Sequence, residues 1–155
     1  MPLLGCWLLG GFVVQVIVGL LDLKGGSATG GNTFLIFSAF FMLVSGMGMF
    51  VKYQGILSGN PLDARIDGYA WSMLSLVVLL WTPAYFKPRF SLLSVLVLCL
   101  DVACPVIALT DLGLIPKSAS HIAAWALLVA GVVAVYYSAA LIVNQAYGKK
   151  IFPMP

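Results

Sequence analysis

The sequence is poor in charge. Of its 155 residues 8 are Lys or Arg, 5 are Asp or Glu and one is His, so charged side chains make up 8% of the chain. Soluble domains carry roughly 25%, and a chain this apolar has too little polar surface for a water-facing globule. Cysteine is scarce and odd in number. Cys6, Cys99 and Cys104 all fall within apolar runs, where they read as small core residues, not as a disulfide framework or a metal site. Enzyme signatures are missing: there is no HExxH, GxSxG, Walker loop or CxxC, and the lone His121 has no evident catalytic partner. No cofactor, metal or catalysis is expected. The apolar runs lack the alternation of an outer-membrane strand, which argues against a barrel. The net charge of +3 gives no reason to invoke nucleic acid.

What the chain has is hydrocarbon. Apolar residues make up 62% of it, and the mean hydropathy is +1.08. Crossing a hydrocarbon core of about 30 Å takes ~20 helical residues. Leu3–Leu21, Thr33–Val51, Gly68–Phe86, Arg89–Thr110 and Ser120–Ala146 all qualify. The expected fold is an all-α integral membrane protein, a bundle of five transmembrane helices, with residues 1–155 forming a single transmembrane domain. The first run begins at Pro2 with no basic residue ahead of it and no small-residue cleavage site behind it, so a signal peptide is not expected. Asp22–Asn32 and Lys52–Asp67, rich in Gly, Ser and Asn, read as loops. Lys87–Pro88 reads as a tight turn that makes helices three and four antiparallel neighbours. Lys24, Lys87, Arg89, Lys149 and Lys150 fall on one side; Lys52, Arg65 and Lys117 fall on the other. The richer side is expected to be cytoplasmic, with the C-terminus inside. Trp7, Tyr53, Tyr69, Trp71, Trp81, Tyr85, Trp125 and Tyr147 gather near span ends, as interfacial anchors do.

Four polar features break the apolar runs. In GGFVVQVIVGLLD, Gly11, Gln15, Gly19 and Asp22 fall on one helical stripe. Small residues at this spacing close helices together, and a Gln there either glues helices or lines a polar path. Asn32, in Gly31-Asn32-Thr33-Phe34, is positioned as an N-cap; the same helix start offers N–H groups and a partial positive charge to a small carboxylate. Asp101 sits mid-span with Pro105 one turn later, where it is either paired, protonated or a proton acceptor. The last helix carries His121, Tyr136 and Asn144; His121 is expected to be solvated, and Asn144 either caps the helix or lines a path.

These residues resemble the acetate uptake transporter family, the succinate–acetate permeases. The matching pieces are G11-xxx-Q15-xxx-G19-xx-D22 (the family usually has Glu at the last place), GNTF at 31–34, Leu100-Asp101, and the C-terminal third. That third contributes H121-x-x-x-W125, G131, A134-x-Y136, N144-x-x-Y147-G148-K149 and Pro153. The resemblance implies a six-helix family fold, a substrate path in each protomer and a homohexamer. It implies passage of acetate and related small carboxylates such as succinate, with protons. By this resemblance Gln15, Asn32, Thr33 and Asn144 line the path, Leu100 belongs to a dry constriction, and Ala134 falls where a small residue influences substrate size. The family's first helix and its NPAPLGL motif have no counterpart in this sequence. Met42 stands where the family has a constriction Tyr, and Leu35, Ile36 and Phe37 replace a glycine and threonines.

The function expected is therefore transport of acetate or a related carboxylate across the cytoplasmic membrane, as a channel or a proton-coupled permease. Gln15, Asn32, Thr33 and Asn144 form the path, and Phe34, Met42, Leu100 and Ala134 the constriction. Asp22 and Asp101 are the candidates for proton coupling. The alternative is a non-transporting membrane scaffold or accessory subunit.

Overall fold

With no water to accept them, backbone N–H and C=O groups inside a membrane have to pair within their own segment. The chain meets that demand with helices. In the computed structural model, which describes every residue except 61, 64, 88–90 and 155, no strand occurs among the described residues. Five helices are long and apolar enough to cross a membrane: α1 (Pro2–Lys24), α2 (Ala28–Leu57), α3 (Arg65–Phe86), α4 (Leu92–Asp111) and α5 (Lys117–Tyr147). They form two compact units, Met1–Leu62 and Asp63–Pro155.

In the first unit, α1 packs on α2, and what it buries is glycine. Gly5 and Gly19 are its buried residues, while Leu3 (79% exposed) and Trp7 (81% exposed) face outward. This inverts a soluble helix and fits a helix surrounded by lipid, where association comes from close backbone approach. A Cβ on Gly5 would lie 2.9 Å from the Gly46 carbonyl oxygen, and one on Gly19 would lie 3.1 Å from the Gly31 carbonyl oxygen. Those pairs, near opposite ends of α1, fix an antiparallel contact with α2.

α2 corrects the sequence reading. It begins at Ala28, not Thr33, and runs to Leu57, not Val51, so only Gly25–Ser27 separates it from α1. Thr29, Gly30, Gly31 and Asn32 read as a loop because glycine weakens an isolated helix by about 1 kcal/mol relative to alanine. Here the glycines are what let the helix approach α1, and packing overrides propensity. The middle of α2, Phe37–Val44, is a π-helix, a rare geometry that leaves a local bulge. Ser45 Oγ donates to the Phe40 carbonyl five residues back, at 3.4 Å.

In the second unit α4 lies between α3 and α5. It buries Val97, Ala103, Cys104 and Ala108, and α5 meets it with Ala123, Ala130 and Ala140. α3 and α4 are antiparallel neighbours, as expected. A Cβ on Gly68, at the start of α3, would lie 2.9 Å from the Leu112 backbone nitrogen just after α4. At the other end the fully buried Ser94 hydroxyl donates to the Tyr85 carbonyl at 2.9 Å. The Pro88 half of the expected turn and the Arg89 start of the expected span lie outside the described residues. Outside the spans, Arg65 clasps the exposed Asp63 carboxylate and holds it down to about 2 from its ordinary 3.8, through side-chain and then backbone hydrogen bonds. Cys6 is exposed, Cys99 half-buried and Cys104 buried, so the reading of all three as core residues holds for Cys104 alone.

Gly31→Ala is expected to destabilise the protein by about 1–3 kcal/mol, because its methyl would overlap the Gly19 carbonyl. Gly48→Ala, with open space at the same atom, is expected to be neutral or slightly stabilising. Chemical denaturation in detergent micelles compares the two.

Candidate functional site

Along the α1–α2 seam the first unit holds a groove of about 710 Å³, lined among others by Cys6, Gly11, Val14, Gln15, Phe34 and Met42. Three of the residues singled out from sequence, Gln15, Phe34 and Met42, therefore share one surface. Gly11 makes room: a Cβ there would lie 3.1 Å from the Met42 sulfur. Met42 belongs to the π-helical segment, so the bulge and the absent Gly11 side chain together set that wall. Among these apolar walls stands the Gln15 amide. Its Oε1 is buried without a hydrogen-bond partner, which costs about 1–3 kcal/mol. The stripe read from sequence thus divides its work. Gly11 and Gly19 serve packing, and Gln15 faces the groove.

Asn32 and Thr33 are placed differently from the expectation. Asn32 is not an N-cap: it lies inside α2, exposed, and its Nδ2 donates to the Ala28 carbonyl at 2.8 Å. The Thr33 hydroxyl likewise donates to Thr29 at 2.8 Å. Ser27 is the N-cap residue, so the N–H groups that start the helix belong to the turn at 28–30. Asp22 closes on that turn. A Cβ on Gly30 would come 2.5 Å from Asp22 Oδ2 and 2.9 Å from Ser27 Oγ. A carboxylate near a helix N-terminus is favoured by the dipole, and here the chain supplies its own.

In the second unit, Asp101 and Leu100 are half-buried on α4. The Thr82 hydroxyl of α3 reaches Asp101 Oδ2 at 2.7 Å, while Asp101 Oδ1 is buried without a partner. Pro105 has no N–H for the Asp101 carbonyl, yet α4 continues through it. Ala134 is exposed on α5, unlike the buried Ala123, Ala130 and Ala140. His121 is exposed, as expected.

Asn144 is engaged elsewhere. Its Oδ1 accepts from the Ile151 and Phe152 N–H groups at 2.7 and 2.9 Å, and its Nδ2 donates to the Phe152 carbonyl at 2.9 Å. The helix itself ends on Gly148 in the left-handed conformation, φ 60°, so Asn144 does not cap it. The Tyr136 hydroxyl donates to the Pro153 carbonyl at 2.7 Å, and its ring meets Phe152 edge-on. Together these contacts fold the C-terminal tail back along α5. Thr82 and the tail were not read from the sequence. A threonine before a proline deep in an apolar span (Thr82-Pro83) is the signal for the first, and the second has no sequence signal beyond its Tyr, Asn and Phe.

No protein-family model matches the chain, and no curated protein matches it. Among solved structures it is similar to one described as the bacterial acetate channel SatP, with a TM-score of 0.80 over 99% of this chain and 91% of that one. The chain has that channel's fold. Sequence identity across the match is 19%, so the likeness is one of backbone architecture. It shows an all-helical fold shared with that channel, built here from five helices long and apolar enough to cross a membrane.

Asn144→Ala is expected to release the tail. Hydrogen exchange at the Ile151 and Phe152 amides should rise about tenfold or more, the equivalent of losing one to two net hydrogen bonds. Unchanged exchange would show that Asn144 does not hold the tail.

Proposed function

We propose that the protein conducts small carboxylates, acetate first among them, across the cytoplasmic membrane. The observation that carries this reading is the Gln15 amide, unpaired at its oxygen in an apolar groove, on a fold shared with an acetate channel. A primary amide offers a donor and an acceptor side by side, which matches the O–H and C=O of a carboxylic acid and, through its N–H groups, a carboxylate. Apolar neighbours suit the short alkyl part of the substrate and exclude larger, hydrated ions.

In this reading Gln15 is the central hydrogen-bonding residue, and Phe34 and Met42 narrow the path beside it. Asn32 and Thr33 add polar edges on α2, with one donor of each already committed to the helix. Leu100, Ala134 and Asn144 belong to the second unit, and Asn144 serves the path only when the tail leaves it. Asp101 is the stronger candidate for proton coupling, because it lies within a span with one oxygen buried and unpaired, whereas Asp22 lies near the end of α1 beside the turn into α2. The richer set of basic loop residues puts the C-terminus inside, and the protomers assemble as a homohexamer. Succinate is a second substrate.

Purified protein in lipid vesicles is expected to take up labelled acetate faster than empty vesicles. Gln15→Ala should lower the initial rate about tenfold, the worth of one hydrogen bond of ~1.4 kcal/mol in the transition state. Uptake equal to that of empty vesicles, from a folded preparation, contradicts the proposal; a wild-type rate for Gln15→Ala removes Gln15 from the path.

A further inference from the structure

Thr82 Oγ1 lies 2.7 Å from Asp101 Oδ2 and 2.9 Å from the Val78 carbonyl oxygen. A threonine hydroxyl has one hydrogen, and a peptide carbonyl only accepts. Thr82 therefore donates to one of the two at a time. When Asp101 is a carboxylate, the hydroxyl serves it, and Val78 loses that donor. When Asp101 carries a proton, its own O–H is given to Thr82 Oγ1, and the threonine hydrogen turns to Val78. Both short contacts are then hydrogen bonds.

The membrane parts of these helices supply no cation among the described residues. Lys and Arg are absent from Trp71–Phe86, Leu92–Thr110 and Ser120–Tyr147, the membrane parts of the three helices packed together here. Their remaining titratable side chains are Tyr85 on α3, Cys99 and Cys104 on α4, and His121, Tyr136, Tyr137 and Tyr147 on α5. His121 and Tyr147 are exposed, and the Tyr136 hydroxyl is held by Pro153. Cys104, buried one turn from Asp101, brings no positive charge. Asp101 Oδ1 stays buried and unpaired. A half-buried carboxyl with one oxygen enclosed and unpaired, and no basic neighbour on these helices, is neutralised most simply by a proton.

We infer that Asp101 is a reversible proton-binding site and that Thr82 is its positioning residue, turning its single hydrogen between Asp101 and Val78 as the proton arrives and leaves. One proton is taken up, one O–H bond forms on Asp101, and no other bond changes. The inference deepens the proton coupling proposed above, but its test does not require transport.

Infrared difference spectra between acid and alkaline buffer are recorded on the full chain in lipid vesicles. The carboxylic C=O band that disappears in Asp101→Asn reports the site. In the wild type this band is expected to titrate reversibly. Thr82→Val, which deprives the carboxylate of its donor, should shift both the titration and the position of the band. Thr82→Ser, which keeps the hydroxyl, should restore both. The inference is overturned if no Asp101-dependent band titrates, if Thr82→Val behaves as wild type, or if Thr82→Ser behaves as Thr82→Val. Acetate uptake in the same vesicles separates the two readings: the expected spectra without uptake keep the proton site and remove the transport proposal.

Discussion

Hydrocarbon offers no hydrogen bonds, so each polar group in a membrane span is met by the protein or left at a cost of several kcal/mol. The rest of the structure follows from this constraint. Along the spans, polar side chains repay their own helix. Ser72, Ser75 and Thr110 donate to the carbonyl one turn back, and Asn32 and Thr33 do the same on α2. Against that background, the side-chain atoms left buried and unpaired among the described residues are Gln15 Oε1 and Asp101 Oδ1. The first belongs to a residue that lines an apolar groove in the first unit, and the second to a carboxylate whose other oxygen meets a threonine hydroxyl in the second. Each is a place where the fold tolerates an unmet group, and such places are where a polar substrate or a proton has something to bind.

The same constraint explains how the helices hold together. Burying leucine gains little where lipid is as apolar as the core, so α1 buries glycine and turns its large side chains outward. The close contacts at Gly5–Gly46 and Gly19–Gly31 bring the α1 and α2 backbones together. Between those contacts Gly11 leaves space, the π-helical segment delivers Met42 into it, and the groove with Gln15 results. Packing and site are thus one arrangement: substitutions that part the glycines also reshape the Gln15 wall.

Much of this was legible in the sequence. Five spans follow from run length alone, and Gly19 and Gln15 declare themselves by spacing on an apolar helix. The start of α2 does not. In GGSATGGN the residues that break helices in water are the ones that let this helix touch its neighbour, and only the partner surface decides between the two. Asn144 shows a different limit. An amide near a helix end fits capping and path lining equally well, whereas its actual partners, Ile151 and Phe152, lie beyond the helix on a segment with no periodicity. Thr82 gives little signal because a hydroxyl in a span usually bonds its own helix; here a second acceptor comes from nineteen residues on, in the next helix.

The central claim is that Gln15 faces a path that water and carboxylates enter. The most direct measurement places a thiol there: Gln15→Cys in a chain whose Cys6, Cys99 and Cys104 are replaced by serine, labelled in intact vesicles. A membrane-impermeant thiol reagent is expected to modify Cys at position 15, and acetate to slow the reaction in proportion to its occupancy. If that thiol resists the polar reagent with or without acetate, yet reacts with a lipid-soluble one, Gln15 faces lipid and the claim fails.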